Sequence, residues 1–241
     1  KKVSNKLMKE CPVVFMAYDI IEYNEDDLRN NKLEDRIKIL QALQTNSNHP
    51  CFLFQQNKQY KKWDELERIR EISGHDGAEG LMIKRKDSCY LSGRKRGHWW
   101  KYKHEPMTLD AVLIYAQAGT GKRANLFTDY TFALWNESNK TSKERKLVTF
   151  AKAYSGLNNT EVEQLDKWIR MNTIDRFGPT RVVEQKQVFE IAFEGVMESK
   201  RHKCGLAVRF PRIHRWRIDK KVSDADNIDE ARRLLKTESK L

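Results

Sequence analysis

The spacing of apolar positions changes several times along the chain, and each change marks an element. Residues 13–21 form a β-rich apolar run that reads as a buried strand. Leu33, Ile37, Leu40 and Leu43 then recur at helical spacing, and the polar cluster at 46–50 ends that helix. A strand at 52–54, a helix over 64–72, a turn at 74–77 and a short strand at 80–84 follow. Residues 85–98 are basic and contain glycine, so they read as the exposed connection of a hairpin whose second strand is 99–103. Glu105-Pro106 interrupts the pattern, because proline cannot donate to a sheet ladder and disfavours helix in the residue before it. A domain boundary is therefore expected there, dividing residues 1–106 from 107–241.

Beyond it lie five β-type runs, at 109–115, 130–135, 147–154, 188–196 and 206–209, interrupted by one helix. Thr160-x-x-Glu163 has the capping-box pattern for the start of that helix, which puts Val162, Leu165 and Ile169 on one face. Five strands and a helix in this layout predict a small Greek-key barrel resembling an OB-fold, an architecture that often binds nucleic acid. A last helix over 227–235 follows cap signals at Asp224 and Asp226, with Ile228, Ala231 and Leu235 inward.

With 39% hydrophobic and 33% charged residues and only 11 Gly and 5 Pro in 241, the chain is a folded protein with a highly charged surface, not a disordered or collagen-like one. No apolar run approaches the ~18–20 residues of a membrane span, and no signal-peptide pattern opens the chain. An intracellular protein without a membrane partner is expected. Cys11, Cys51, Cys89 and Cys204 are far apart and read as reduced, mostly buried thiols. The net charge of +12 points to a polyanionic partner. It is concentrated: residues 84–103 hold eight basic residues against one acidic, and 199–221 hold nine against one, so the remainder nets −3.

The chemistry concentrates in Glu79-Gly80-Leu81-Met82-Ile83-Lys84 and Trp99-Trp100-Lys101-Tyr102-Lys103, one hairpin apart. Strand alternation projects Lys101 and Lys103 to the same side, where two ammonium groups suit a phosphate. A facing Glu79 carboxylate suits a magnesium ion bound to that phosphate. By itself either string also describes a salt-bridged hairpin with solvated lysines. Gly119-Thr120-Gly121-Lys122 is not a P-loop, since Ala116 stands at its first glycine position and Arg123 follows the lysine. It reads as a barrel loop that touches DNA phosphates. The histidines at 75, 98, 104, 202 and 214 form no pair with ligand spacing.

Together the two strings resemble motifs IV and V of the covalent nucleotidyltransferases, and the surrounding sequence is similar to ATP-dependent DNA ligases, most like the bacterial branch. Residues 15–21 resemble motif IIIa. Asp110-Ala111-Val112-Leu113-Ile114 with Gly119–Arg123 resembles the start of the ligase OB domain, and Arg209-Phe210-Pro211 to Arg217-Ile218-Asp219-Lys220 resembles motif VI. The resemblance covers about residues 12–237. It implies an α+β fold: the C-terminal part of an adenylation domain with antiparallel sheets, then a five-stranded OB-fold barrel.

The resemblance also assigns roles. Tyr18 would stack on adenine, and Glu79 would contribute to metal binding or to placing the nucleotide. Lys101 and Lys103 would contact the α-phosphate, and Lys84 would also bind the nucleotide. Arg217, Asp219 and Lys220, assisted by Arg209, would orient the pyrophosphate of ATP. Arg94, Lys95, Arg96, Lys122 and Arg123 would contact DNA. The implied cofactors are ATP and Mg2+. The implied partner is nicked duplex DNA, bound by a monomer in the bacterial cytoplasm or nucleoid. The Lys-x-Asp-Gly that carries the adenylated lysine in this family does not occur in the 241 residues, and neither does the acidic motif III strand. The chain is thus expected to be the C-terminal portion of a larger ligase, unable to adenylate itself. A non-catalytic nucleic-acid-binding module is the alternative, and an RNA ligase or capping enzyme is disfavoured by the Arg209-Phe210-Pro211 ending.

Overall fold

The computed structural model describes residues 2–47, 49–55, 60–75, 78–121, 124–136 and 145–235. The chain divides into two compact units, Lys1–His104 and Glu105–Leu241.

The first unit begins with a short helix, α1 (Asn5–Glu10), capped by the Ser4 hydroxyl, and a strand, β1 (Phe15–Ala17). A two-strand turn, β2 (Glu22–Tyr23) and β3 (Asp26–Asp27), leads to α2 (Leu33–Asn46) and β4 (Phe52–Phe54). β1 and β4 pair in parallel, with Phe15 opposite Phe52, because α2 carries the chain back across the pair. Among the described residues the other strand pairs of this unit are antiparallel, as the expected α+β fold has them. Ala17, Leu40 and Phe54 form the small core here. Of the run at 13–21, only Ala17 is buried. Val13, Val14, Phe15 and Met16 are exposed, because β1 is three residues long and has one strand neighbour among the described residues. α3 (Trp63–His75) and the antiparallel hairpin of β5 (Gly80–Lys84) and β6 (Trp99–Lys103) complete the unit. α3 packs on that hairpin through Arg70, whose guanidinium lies 4.3 Å from the Tyr102 ring centroid, and through Trp63, edge-on to Tyr102.

Arg36 ties this unit together. It stands on the apolar face of α2 between Leu33 and Leu40 and is fully buried. Its Nε and Nη2 donate to the two carboxylate oxygens of Asp19 at 2.9 and 3.0 Å, and Nη1 donates to the carbonyls of Asn31 and Ser88. One guanidinium thus joins the segment after β1, the start of α2 and the 85–98 connection.

The second unit opens on β7 (Met107–Ala118), a twelve-residue strand buried continuously from Leu109 to Ile114. β8 (Phe127–Asn136) and β9 (Lys146–Ala153) continue an antiparallel meander, and α4 (Asn159–Met171) follows. The hairpin of β10 (Thr173–Phe177) and β11 (Thr180–Val183) precedes β12 (Val188–Phe193). A second hairpin, β13 (Gly195–Glu198) with β14 (Leu206–Arg209), leads to β15 (Arg212–Trp216) and α5 (Ile228–Arg233). β7 pairs with β12 through its first half, with β11 through its second half, and with β8 along its other edge. Register shifts at 113–115 and 117–118 supply the bend that lets one strand serve all three.

The path β9, β8, β7, β12, β15, with α4 between its third and fourth strands in chain order, is that of an OB-fold barrel. β15 returns beside β9. Gly156, just after β9, has φ +118, and a Cβ there would lie 1.7 Å from the Ile213 carbonyl oxygen of β15, so only glycine permits this crossing. Phe189 stacks on Trp216 and meets Phe132 edge-on in the interior, with Leu165 and Ile169 of α4 closing it.

Several sequence expectations shift in detail. The fifth barrel strand is β15, while 206–209 pairs with 195–198 in a separate hairpin, because the 188–196 run breaks at Glu194 into strands of two sheets. The β10–β11 hairpin extends the sheet to seven strands. Ile174-Asp175-Arg176-Phe177 has no apolar–polar alternation and leaves both Ile174 and Phe177 exposed, so its strand character does not show in the pattern. The α4 cap is Asn158 with Glu161, and the α5 cap is Asn227 with Glu230. Asp226 is instead drawn to β7, where it accepts from the Asp110 N–H at 2.7 Å. Among the described residues no helix is long and apolar enough to cross a membrane.

Replacing Arg36 by alanine would strand the Asp19 carboxylate in the interior and should lower the stability of the first unit by about 3–5 kcal/mol. Urea unfolding of Arg36→Ala followed by tryptophan fluorescence checks this, and a loss below about 1 kcal/mol would show that the pair is solvated in solution.

Candidate functional site

The β5–β6 register sets Gly80 opposite Lys103, Met82 opposite Lys101, and Lys84 opposite Trp99. Because side chains alternate, Met82, Lys84, Trp99, Lys101 and Lys103 share one face of the hairpin, while Leu81, Ile83, Trp100 and Tyr102 take the other. At one end of the shared face the Lys103 Nζ lies 3.3 Å from Glu79 Oε2. Lys101 is exposed between the two ends.

At the other end the Lys84 Nζ stands 4.3 Å from the Trp99 ring centroid and 4.7 Å from that of Tyr18. The segment after β1 and the hairpin therefore meet at this ammonium. Tyr18 keeps about half its surface open, so a ring face remains available to a planar ligand. Burial lowers the Lys84 pKa. The nearby Asp19 opposes that shift and Arg36 adds to it. Asp19 adjoins Tyr18 in sequence and is held by Arg36, so the buried ion pair fixes the segment that presents the ring.

Gly80 permits the close approach of the two strands at the Glu79 end. Its φ is +137, and an added Cβ would lie 2.3 Å from the Tyr102 carbonyl oxygen and 2.6 Å from the Lys103 Cα. The glycine of the Glu-Gly string is thus a packing requirement that places Glu79 beside Lys103.

The second unit gathers three of its four expected nucleotide-site residues, Arg217, Asp219 and Lys220, around Asp110, to which the sequence assigned no role. Asp110 of β7, at 6% exposure, accepts from Arg217 Nη1 at 3.0 Å and from Lys220 Nζ. Asp219 clasps the opposite edge of Arg217, from Nε at 2.9 Å and Nη2 at 2.7 Å. This bidentate pair holds the Asp219 carboxyl down at about 2 and raises the Arg217 pKa. Asp226 and Asp110 exchange backbone contacts, the Asp226 N–H donating to the Asp110 carbonyl at 2.8 Å, and burial raises the Asp226 pKa. Arg209 ends β14, its guanidinium 5.0 Å from the Phe210 ring centroid.

Arg94, Lys95 and Arg96 are exposed in the connection between β5 and β6. Lys122 and Arg123 lie outside the described residues. Among the described residues no group of three or more His, Cys, Asp or Glu is arranged to hold a metal ion. Glu79 offers one carboxylate, which fits a magnesium ion that keeps its waters and takes its other ligands from phosphate, not one caged by protein.

Three residues to which the sequence assigned no individual role organise these groups: Arg36, Trp99 and Asp110. A signal existed for Asp110, an acid inside an otherwise apolar strand, which requires a cationic partner. Arg36 carried a similar signal, since three residues after Leu33 and four before Leu40 it falls on the apolar stripe of α2.

Gly80→Ala should cost more than about 2 kcal/mol of stability, because backbone strain adds to a clash with backbone atoms. Thermal unfolding checks it, and a near-neutral result would contradict the close approach. Lys84 gives a pH-dependent outcome. Its ammonium is disfavoured in the folded state, while the unfolded chain titrates near the ordinary 10.5, so folding is favoured as pH rises between the depressed value and 10.5. Wild type should gain stability relative to Lys84→Met from pH 7 to pH 10 in urea midpoints, and a pH-independent difference would place Lys84 in solvent.

Comparison with known proteins gives a consistent answer. The family described as ATP dependent DNA ligase domain matches residues 1–103, and that described as ATP dependent DNA ligase C terminal region matches 123–220. A probable DNA ligase of Koribacter versatilis is 31% identical over 99% of this chain, and a DNA ligase of Methanococcus aeolicus is 31% identical over 92%. The chain spans 44% and 38% of the lengths of those two relatives. Among solved structures, one from a structure–function analysis of Lig E DNA ligases superposes with TM-score 0.57 at 21% identity, covering 85% of this chain and 63% of that one. With both of its units covered in order by ligase family models, the chain belongs to the ATP-dependent DNA ligase family.

Proposed function

We propose that this chain supplies the nucleotide-holding end of the adenylation domain, residues 1–106, and the OB domain, residues 107–241, of an enzyme that seals nicks in duplex DNA using ATP. The observation that carries the reading is the single hairpin face bearing Lys101, Lys103 and Lys84, with Glu79 paired to Lys103 and the Tyr18 ring closing on Lys84. A salt-bridged surface hairpin does not need a tyrosine brought from another segment onto its lysine. A nucleotide does, since its base is planar and its phosphates are anionic.

In this reading Tyr18 stacks on adenine, and Lys101 and Lys103 neutralise charge on the α-phosphate as its bond to the leaving pyrophosphate lengthens. Glu79 restrains Lys103 and provides a carboxylate toward magnesium, which when bound adds further charge neutralisation at phosphate. Arg217 and Lys220 meet the pyrophosphate, the guanidinium fork giving bidentate contacts that a lysine cannot. Asp219, a carboxylate, acts on the polyphosphate through its hold on Arg217. Arg209, Arg94, Lys95, Arg96, Lys122 and Arg123 face polyanion, the last five on DNA. The complete protein would then pass AMP from a lysine to the 5′-phosphate of a nick, and the 3′-hydroxyl would displace it. We further place it as a monomer in the bacterial cytoplasm or nucleoid.

The test uses the full-length protein encoded with this chain, incubated with ATP and magnesium and analysed by intact mass for a covalent AMP adduct, then assayed on nicked duplex. Adduct and sealing are expected. Absence of both would favour a non-catalytic nucleic-acid-binding role. Lys101→Ala should lower adenylation by at least about a hundredfold, the scale of losing one charge-stabilising donor, and leave DNA affinity within about threefold. An unaffected adenylation rate would remove Lys101 from the phosphate site.

A further inference from the structure

The ion pairs of the second unit redistribute its positive charge. Arg212 is paired with Glu194 at 3.0 Å, Arg215 with Glu190 at 3.4 Å, and Arg217 and Lys220 with Asp110. Much of the charge that the sequence concentrates near residues 212–220 is therefore neutralised locally. The turn between β13 and β14 differs. Lys200, Arg201 and Lys203 are exposed there, none of them forms an ion pair among the described residues, and residues 199–218 contain no acid.

The turn is also pre-ordered. The Ser199 N–H donates to the Gly205 carbonyl at 2.8 Å, and the Gly205 N–H donates to the His202 carbonyl at 2.9 Å. Ser199 Oγ and His202 Nδ1 hydrogen-bond at 2.7 Å, and the Arg201 N–H donates to Ser199 Oγ at 3.3 Å. Cys204, at 3% exposure, and Leu206, at 2%, anchor the base of the turn in the core. Three unneutralised cations thus sit within four residues on a turn whose backbone needs little further ordering, which lowers the entropic cost of engaging a ligand.

We propose that the β13–β14 turn is a phosphate-backbone clamp, in which Lys200, Arg201 and Lys203 contact successive phosphates of duplex DNA. This rests on the ligase reading for its partner and adds to it three cations that reading does not use. Duplex DNA is the occupant that the charge pattern fits. Each strand carries a phosphate about every 3.4 Å along the axis, so a compact tip with three cations and no acid can engage two or three of them. The only large apolar side chain exposed on this hairpin is Met197, too little for a surface that works by apolar burial.

The experiment measures binding of the 241-residue chain to a fluorescent nicked duplex by anisotropy across a series of potassium chloride concentrations. The variants are Lys200→Ser/Arg201→Ser/Lys203→Ser and, removing the same charge elsewhere, Lys9→Ser/Lys61→Ser/Lys62→Ser. Three lost phosphate contacts should reduce the slope of log K against log salt by about two to three and weaken low-salt binding tenfold or more. The control should change the slope by less than about one. A tip variant with wild-type slope, or one matching the control, overturns the clamp while leaving the ligase reading intact. Wild-type chain that shows no salt-dependent binding overturns the DNA partner itself, and the clamp with it.

Discussion

Charge taken out of water must be met by opposite charge and hydrogen bonds, and each unit of this protein organises its candidate site around one such group. In the first unit it is the fully buried Arg36 guanidinium on Asp19. In the second it is the Asp110 carboxylate, reached by Arg217 and Lys220. Neither pair is best understood as a source of stability, since desolvation can cancel the Coulombic gain. What each secures is geometry. Removing one partner leaves an uncompensated charge, so alternative packings of these segments are costly.

The consequences reach the chemistry through short chains of contact. Arg36 fixes Asp19, Asp19 adjoins Tyr18, and Tyr18 meets Lys84 on the hairpin that also presents Lys101 and Lys103. Asp110 holds Arg217 from the interior while Asp219 holds it from the solvent side, leaving the guanidinium oriented before any ligand arrives. Preorganisation of this kind is how cations serve phosphate chemistry, because reorientation during reaction would consume part of the stabilisation. The same pairing logic strips residues 212–220 of much of their free charge and leaves the β13–β14 turn as a distinct cationic surface.

Much of the fold was readable from pattern. The helical spacing of Leu33, Ile37 and Leu40, the β-runs of the barrel and the hairpin at 80–103 all correspond to observed elements. The errors have physical causes. Asn158 and Asn227, not Thr160 and Asp226, are the caps because the carboxamide oxygen of each accepts from the N–H three residues on, while Asp226 is drawn away by β7. The 206–209 run has strand character, and its pairing partner was a matter of where the 188–196 run breaks. The apolar character of 13–16 did not translate into burial, because burial depends on a neighbour and not on the residue alone.

The sequence by itself determined the family, the two lysines on one strand face, the glycine at 80 and the concentration of positive charge, since each follows from local spacing or residue type. Only the tertiary structure decided which of those charges are spent on internal partners. Asp19 and Arg36 are 17 positions apart, and Asp110 and Arg217 are 107 apart. No periodicity connects such positions. They meet because a helix crosses back over a parallel strand pair in one unit and a barrel closes in the other, and ion pairing over a few ångströms is visible only once the chain has folded.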